Sequence, residues 1–211
     1  PLFTNYAFDF SVPSIFGALL YGEHLVIFDN ADEMIAYAAT AEVAVMKITP
    51  TYFMGIADLM ESYDKLYIDT MVFGGEALTD EMIERAFNIL GGETAIFNEY
   101  GPTEATVFAT FKRVEKGENI TIGRPADNYI INICRNSEVC GVGMIGEICI
   151  SGIGLARGYC GNTELTEGKF TKGPDGMRTY HTGDLGKFNN RGEIEFLGRI
   201  DDQVKVRGFC V

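Results

Sequence analysis

The stretch TAIFNEYGPTEATV, residues 94–107, runs from an apolar segment into a polar one. We predict a strand at 94–97, followed by an amide, an aromatic ring, a Gly-Pro turn, a hydroxyl and a carboxylate. Polar groups at the carboxyl end of a strand in an α/β sheet stand where small ligands bind. An aromatic face can stack on a purine, an amide can read its polar edge, and a carboxylate can hold Mg²⁺ through oxygen. The stretch therefore predicts a nucleotide site at one edge of an α/β sheet.

The segment before this stretch alternates short apolar runs with amphipathic ones. The alternation predicts strands at 24–28, 43–48 and 68–73 and helices at 32–41 and 51–62. A third helix is expected to be capped by Thr79 and ended by Gly91 and Gly92. Strands that alternate with helices indicate a parallel sheet with helices packed on it.

The pattern changes beyond about Ala109, where helical periodicity is absent and no further helix is expected. Short alternating runs at 129–134, 146–151, 193–197 and 203–207 predict antiparallel strands that form a sheet or a small distorted barrel. The predicted fold class is α/β. A mainly parallel, flavodoxin-like sheet flanked by helices is followed by a small antiparallel β-barrel-like subdomain.

Composition disfavours several classes of function. The chain has 211 residues, 46% of them apolar and 22% charged, as in a globular protein. Its net charge of −13 disfavours nucleic acid and anionic membranes as partners, because both require a basic surface. No apolar run is long enough to span a membrane, and the first residues lack a signal-peptide pattern. Five cysteines without a C-x-x-C pair indicate reduced thiols in a cytoplasmic protein.

Five further segments accompany the opening stretch. They are FDFSV at 8–12, GEICISG at 146–152, GLARGY at 154–159, YHTGDL at 180–185 and GRIDDQVKVRGF at 198–209. In order and spacing, the whole set resembles the core motifs of adenylation domains of nonribosomal peptide synthetases, which belong to the adenylate-forming enzymes. The resemblance covers essentially the whole chain.

The resemblance implies an activity, cofactors and partners. Members of this family activate a carboxylic acid with ATP and Mg²⁺, form an acyl-adenylate and pyrophosphate, and pass the acyl group to a carrier-protein thiol on phosphopantetheine. The implied partners are an amino-acid substrate, a carrier protein domain and neighbouring synthetase domains. The implied organisation is an α/β subdomain at 1–112 with the acid pocket and half of the adenine site, a β-rich subdomain at 113–200, and a hinge with the start of a C-terminal lobe at 201–211.

The resemblance also assigns nucleotide-binding roles. Tyr100 is expected to stack on adenine, Asn98 to face the adenine amine, and Asp184 to hold both ribose hydroxyls. Thr103 matches a phosphate contact and Glu104 a Mg²⁺ ligand, and both are expected to act in catalysis. The remaining implied nucleotide contacts are Gly75, Glu76, Ala77, Gly101, Phe196 and Arg199. Phe196 stands where relatives often carry tyrosine, so the resemblance implies a stacking contact of its ring but no hydroxyl contact. His181 stands where arginine is usual, and no role is assigned to it.

Two implied roles fall near the end of the chain. Asp201 matches a hinge between the large lobe and a C-terminal lobe, which moves between an adenylation and a thiolation position. Lys205 follows in the hairpin that begins the C-terminal lobe, and it is expected to act in catalysis. The family's phosphate loop is expected before Pro1 and its catalytic lysine after Val211. The chain is therefore expected to be a central fragment that is inactive alone.

An acid pocket is implied at the start of the chain. In peptide synthetases an aspartate after an aromatic residue pairs with the substrate's α-amino group, and Asp9 matches it. The rest of the implied lining is Phe10, Pro13, Lys47, Val72, Gly74, Glu99, Val107 and Phe108. Lys47 and Glu99 favour a short polar amino acid, asparagine first or aspartate, although Phe108 is larger than expected for that class.

Other interpretations stay open at this point. Lys47 extending to solvent, Glu99 as a solvated loop residue and Asp9 as a strand-end carboxylate are the structural alternatives. The functional alternatives are a D-alanine–carrier-protein ligase, an acyl- or aryl-CoA ligase, and a non-catalytic excised or degenerate nucleotide-binding module. Asp9 argues against the CoA ligase, while Glu104 and Asp184 argue against degeneracy.

Overall fold

The computed structural model describes residues 1–136, 138–173 and 176–200, together with the backbone of two short strands at 205–206 and 209–210. The described chain divides into two compact units. The first holds residues 1–98 and 113–120, and the second holds residues 99–112 and 121–200. The functional boundaries at residues 112 and 200 stay predictions.

The first unit is built on a parallel sheet with helices. Its elements are a 3₁₀ turn (Asp9–Ser11), α1 (Val12–Tyr21), α2 (Ala31–Ala38), β1 (Val43–Ile48), α3 (Pro50–Glu61), β2 (Ile68–Phe73), α4 (Asp80–Leu90) and β3 (Ala95–Tyr100). β2 pairs in parallel with both β1 and β3. The predicted parallel sheet is therefore confirmed, and its core is made of apolar side chains such as Met46, Phe53, Phe73 and Ile96.

Local signals place most of the helix ends. Asn30, Thr49 and Thr79 each accept a backbone N–H from three residues ahead, at the starts of α2, α3 and α4. Gly91 ends α4 with a φ of 74°, which a glycine adopts at no steric cost. The predicted cap at Thr79 and the predicted stop at Gly91 are confirmed. Among the described residues, no helix has both the length and the apolar character that a membrane crossing requires.

Two expectations for the first unit are wrong. The predicted strand at 24–28 is only an isolated bridge between Ile27 and Leu2. Helix α1 was not predicted, because its almost uniformly apolar residues show no alternation with polar ones; none of them is buried within the described chain.

The second unit contains an antiparallel sheet. Its elements are a 3₁₀ turn (Thr103–Ala105), β4 (Thr110–Arg113), β5 (Arg124–Pro125), β6 (Tyr129–Arg135), β7 (Glu138–Val139), β8 (Gly146–Gly152), α5 (Thr163–Lys169), β9 (Phe170–Lys172), β10 (Arg178–Phe188) and β11 (Ile194–Arg199). Six strands form the sheet in the order β11-β10-β8-β6-β7, with β9 on β10. The described strands leave two edges, so the sheet is open rather than a closed barrel. The short strands β12 (Lys205–Val206) and β13 (Phe209–Cys210) pair with each other.

Two features of this region differ from expectation. Helix α5 contradicts the absence of helices beyond Ala109; it has only seven residues, too few to show a helical period. β3 continues to Tyr100 instead of ending at Phe97. The amide of Ala109 donates to the carbonyl of Tyr100 at 2.8 Å, which extends the strand pairing. Asn98, Glu99 and Tyr100 therefore project from a strand and not from a loop.

Candidate nucleotide and acid sites

The carboxyl ends of the parallel strands gather several predicted site residues of the first unit. Lys47 on β1 is the register partner of Val72 on β2, and Phe73 is the partner of Asn98 on β3. Gly74 and Gly75 follow directly after β2. Parallel strands end at one common edge of a sheet, so the topology brings these positions together as predicted.

The buried ammonium of Lys47 packs on an aromatic ring. Lys47 is 4% exposed, and its Nζ lies 4.3 Å from the ring centroid of Phe10. A desolvated cation over a ring face gains electrostatic stabilisation. Glu99 is also buried, at 9% exposed, so neither Lys47 nor Glu99 extends into solvent. Those two structural alternatives are excluded by burial.

The predicted adenine loop after β2 lies against the same ring. Gly75 has a φ of 81°, and a Cβ there would lie 3.9 Å from Cε2 of Phe10. Glu76 accepts the backbone N–H of Thr51 through Oε2 at 2.9 Å. Its Oε1 is buried and has no hydrogen-bond partner among the described residues. Glu76 thus binds the first turn of α3, while Ala77 is exposed.

A carboxylate with two donors forms the centre of the second unit's site. The hydroxyl of Tyr100 donates to Oδ2 of Asp184 at 2.5 Å, and Nη1 of Arg199 donates to Oδ1 at 3.0 Å. Asp184 on β10 and Arg199 on β11 are register partners, which places the guanidinium. The ring of Phe196 lies 5.9 Å from the ring of Tyr100, tilted by 43°. Three strands therefore hold one acidic group, one basic group and two aromatic rings together.

The protonation of this group follows from burial. Asp184 is 5% exposed. Burial and the negative charge of Asp184 raise the pKa of Tyr100 well above its ordinary value. Tyr100 therefore stays a hydroxyl donor at neutral pH.

A second acidic group lies on the 3₁₀ turn that follows β3. Glu104 accepts the hydroxyl of Tyr159 through Oε1 at 2.6 Å, and that hydroxyl lies 3.4 Å from the hydroxyl of Tyr180. Burial, together with the hydrogen bond to Glu104, raises the pKa of Tyr159 to about 12. Both tyrosines hold or surround Glu104 as neutral phenols. Thr103, which begins the turn, is exposed.

The backbone after this turn is strained. Thr106 and Val107 have positive φ values of 54° and 74°. A β-branched residue is rarely found there, and such strain clusters at ligand sites. The hydroxyl of Thr106 donates to the carbonyl of Gly154 at 2.6 Å, which helps to hold the conformation. A Cβ on Gly101 would collide with the backbone of Phe108, so the loop closes tightly on itself.

Comparison with known proteins assigns this chain to a family. The AMP-binding enzyme family matches residues 2–160. The chain belongs to the AMP-binding enzyme family. Tyrocidine synthase 3 of Brevibacillus parabrevis is 39% identical over 218 residues, covering 98% of this chain and 3% of that protein. Bacitracin synthase 1 of Bacillus licheniformis is 40% identical over 221 residues, covering 99% of this chain and 4% of that protein.

Solved structures agree with this assignment to the AMP-binding family. A holo NRPS protein with adenylation and PCP domains, bound to a vinylsulfonamide inhibitor, superposes with a TM-score of 0.88 at 26% identity, over 99% of this chain and 38% of that one. The nonribosomal peptide synthetase FmoA3 superposes with a TM-score of 0.85 at 27% identity, over 93% of this chain and 23% of that one. The predicted resemblance to synthetase adenylation domains is confirmed. The chain spans less than a tenth of the length of the curated synthases that it matches.

The other predicted positions of this AMP-binding chain fall into both units. Those of the implied acid pocket in the first unit are Asp9, Phe10, Pro13, Lys47, Val72 and Gly74, and those in the second are Glu99, Val107 and Phe108. Asp9 begins the 3₁₀ turn before α1, half-buried, and the ring of Phe108 meets Phe111 edge-on at 6.5 Å. Asp201 lies outside the described residues, and only the backbone of Lys205 is described.

Sequence reasoning missed the residues that hold Glu104 and the contacts that hold Asp184. Tyr159 and Tyr180, which surround Glu104, were not among the predicted site residues. Both stand inside quoted motifs, GLARGY and YHTGDL, so motif membership was an available signal. The hydrogen bond from Tyr100 to Asp184 joins positions 84 residues apart and depends on the packing of the strands.

Proposed function

We propose that this chain is part of an enzyme that binds ATP with Mg²⁺ and activates an amino acid as an aminoacyl-adenylate, which a carrier-protein thiol then accepts. The observation that carries the proposal is the group of Tyr100, Asp184 and Arg199, with the ring of Phe196 beside it. The names of the relatives, synthases of tyrocidine and bacitracin, support a place in antibiotic or other secondary metabolite biosynthesis. The PCP domain in the solved NRPS neighbour supports a carrier domain as partner.

Asp184 is suited to bind a ribose. A vicinal diol offers two hydroxyl donors, and a carboxylate accepts them with both oxygens. Tyr100 and Arg199 hold the carboxylate in place before a ligand binds. Binding therefore costs little conformational entropy at this side chain. The ring of Tyr100 offers an aromatic face for adenine. Arg199 adds a positive charge beside the phosphates, where charge develops during acyl activation.

Glu104 fits a magnesium ion. Mg²⁺ prefers oxygen ligands and binds through one or two carboxylates together with substrate phosphates. Tyr159 orients the Glu104 carboxylate through one oxygen, and the exposed hydroxyl of Thr103 begins the same turn. When bound, the ion neutralises phosphate charge. The chain's own contribution is to fix the carboxylate that receives it.

The substrate that we propose is a short polar amino acid, asparagine first. Lys47 is buried on Phe10 at the carboxyl edge of the parallel sheet, and Glu99 is buried in the second unit. The resemblance assigns both residues to the acid pocket, and a pocket with one cationic and one anionic group favours a substrate side chain that offers both an acceptor and a donor. Asp9 is proposed to receive the α-amino group.

The remaining roles rest on the resemblance alone. We propose Asp201 as the hinge residue, Lys205 as a catalytic contact, and residues 112 and 200 as functional boundaries. A cytoplasmic location is also proposed, and the described cysteines Cys134, Cys140, Cys149 and Cys160 are all free thiols, which supports it.

Titration of AMP into the 211-residue chain, followed by calorimetry, tests the proposed nucleotide site. Asp184→Asn replaces one acceptor oxygen by a donor, and we expect AMP to bind roughly 10-fold or more weakly. Asp127→Asn, in an exposed turn of the same unit, is the matched control and should bind like the wild type. Circular dichroism confirms that each variant folds. Equal affinity of wild type and Asp184→Asn, or no binding by the wild type, would contradict the proposal.

The same titration with non-hydrolysable aminoacyl-sulfamoyl adenosines tests the substrate. We expect the asparaginyl compound to bind about 10-fold more tightly than the leucyl one. Equal affinity of the two compounds would remove the argument from Lys47 and Glu99, while leaving the nucleotide site intact.

A further inference from the structure

Three potential metal ligands meet on the antiparallel sheet, apart from the nucleotide group. Glu147 and Cys149 lie on β8, His181 lies on β10, and the ligand atoms of all three lie within 4.8 Å of one another. Cys149 and His181 are register partners. We propose that Glu147, Cys149 and His181 bind a thiophilic divalent cation, and that Zn²⁺ fits them best.

The spacing of the ligand atoms is close to that of a tetrahedral zinc site. Zinc bonds of about 2.0–2.3 Å at a tetrahedral angle separate two ligand atoms by roughly 3.3–3.6 Å. Nδ1 of His181 lies 3.6 Å from Sγ of Cys149, which already meets this requirement. Nδ1 lies 2.9 Å from Oε2 of Glu147, where a hydrogen bond now joins them. A small outward movement of the carboxylate would exchange that hydrogen bond for two metal bonds.

Partners outside the three ligands orient two of them, His181 and Glu147. Nε2 of His181 lies 2.9 Å from the hydroxyl of Thr171, which can accept the Nε2 proton when Nδ1 binds a metal. The backbone N–H of Gly183 donates to Oε1 of Glu147 at 2.8 Å, which leaves Oε2 directed at His181. These contacts match the hydrogen bonds that orient ligands in established metal sites.

The site has an approach from solvent. A depression of about 610 Å³ is lined by Glu147 and His181 together with Asn162, Glu164, Leu165, Gly168 and Lys169 around α5. It gives a cation and a water ligand access to Glu147 and His181, while Cys149 lies buried beneath them. Lys169 is the cationic member of this lining and opposes a bound cation, whereas Glu164 favours one.

Cys149 supplies the soft ligand of the proposed site. Its side chain is 1% exposed and lies on β8 opposite His181 on β10. A thiolate favours zinc over hard cations such as Mg²⁺ and Ca²⁺, which prefer oxygen ligands. The nitrogen ligand is His181, which stands where the resemblance to synthetase domains leads one to expect arginine, and a guanidinium does not ligate a metal.

Titration of Zn²⁺ into the full 211-residue chain, with Co²⁺ as a spectroscopic probe, tests the site. We expect one Zn²⁺ per chain and a thiolate-to-cobalt charge-transfer band. Cys149→Ser and His181→Gln should each weaken zinc binding at least 10-fold, and Cys149→Ser should remove the band. The matched controls Cys160→Ser and His24→Gln, both exposed, should leave both signals unchanged. Lys169→Gln should tighten binding, since it removes an opposing charge.

Three results would overturn the proposal. They are the absence of saturable zinc binding by the wild type, unchanged binding in His181→Gln, and an equal loss of binding in the control variants. His181 is about one-third exposed, so His181→Gln decides the question even if the buried Cys149 variant fails to fold. Neither readout depends on nucleotide binding, so the result is independent of the proposed function.

Discussion

At the scale of single residues, Asp184 shows how the candidate site is organised before any ligand is present. Its carboxylate is buried, yet each oxygen receives a donor, from Tyr100 and from Arg199. An unpaired buried carboxylate would be strongly destabilising, so these donors are needed for folding as well as for orientation. A ribose would therefore bind to a carboxylate that is already oriented.

Val107 offers a test of strain at this scale. Its φ of 74° is unfavourable for a β-branched residue, by about 1–2 kcal/mol, while asparagine tolerates the left-handed region. Val107→Asn should therefore raise the melting temperature. Val45→Asn, at an exposed strand position without a positive φ, is the control and should lower it. A fall in both variants, measured by thermal unfolding, would show that Val107 is not strained.

Motif reading found residues but not the contacts between them. Tyr100, Glu104 and Asp184 could be named from the sequence because they stand in long motifs. The hydroxyl of Tyr159 on Glu104 could not be predicted by periodicity, because it depends on how loops and strands pack. The ligand set of Glu147, Cys149 and His181 was missed for a similar reason, since the register of two antiparallel strands places Cys149 opposite His181.

At the scale of elements, a buried ion pair ties the start of the β-rich unit to its last strand. Nζ of Lys112 on β4 lies 3.0 Å from Oε2 of Glu193, just before β11, with the two side chains 8% and 15% exposed. The hydroxyl of Thr121 donates to the same oxygen at 3.2 Å. Burial acts to raise the pKa of Glu193, but the hydrogen bond and charge of Lys112 lower it overall.

Lys112→Met should remove this link and leave a carboxylate without its cation. We expect a loss of about 2 kcal/mol at pH 7, less than the 3–5 kcal/mol typical of a fully buried pair. Since the pKa of Glu193 is lower in the folded state, the pair stabilises above the ordinary glutamate pKa of about 4.3. That stabilisation is lost as the pH falls through the lowered folded value. Urea unfolding at pH 7 and in acid measures the difference between wild type and variant, which should shrink in acid.

The control is Arg113→Met, which breaks an exposed ion pair with Glu115. Exposed pairs contribute about 0–1 kcal/mol, so little change is expected. If Lys112→Met and Arg113→Met had equal effects at both pH values, the buried pair would have no special role.

The elements themselves were predicted unevenly. β1 and β2 were placed at their observed bounds because their apolar runs are flanked by clear turn or cap signals. The end of β3 was placed too early, since polar residues in a strand look like a loop until a neighbouring strand pairs with them. Helices α1 and α5 lacked a readable period, one because it is apolar all round and the other because it is short.

At the scale of the whole molecule, strand–helix alternation predicted the parallel sheet, and short alternating runs predicted the antiparallel one. The order of strands in the second sheet could not be predicted, because β8 lies between β6 and β10 and not next to its neighbour in sequence, β7. The solved NRPS neighbours share this arrangement of the chain, with TM-scores of 0.88 and 0.85.

The central claim is that an amino acid, held by Asp9, is joined to AMP in this protein. A double-mutant cycle on the 211-residue chain tests it most directly, with asparaginyl-sulfamoyl adenosine and its counterpart that lacks the α-amino group. Calorimetry should show that loss of the amino group weakens binding about 10-fold or more in the wild type, about 1.4 kcal/mol, and hardly at all in Asp9→Asn. Asp32→Asn, at an exposed position, is the control. Equal binding of the two compounds by the wild type would contradict amino-acid activation and favour an acyl- or aryl-CoA ligase.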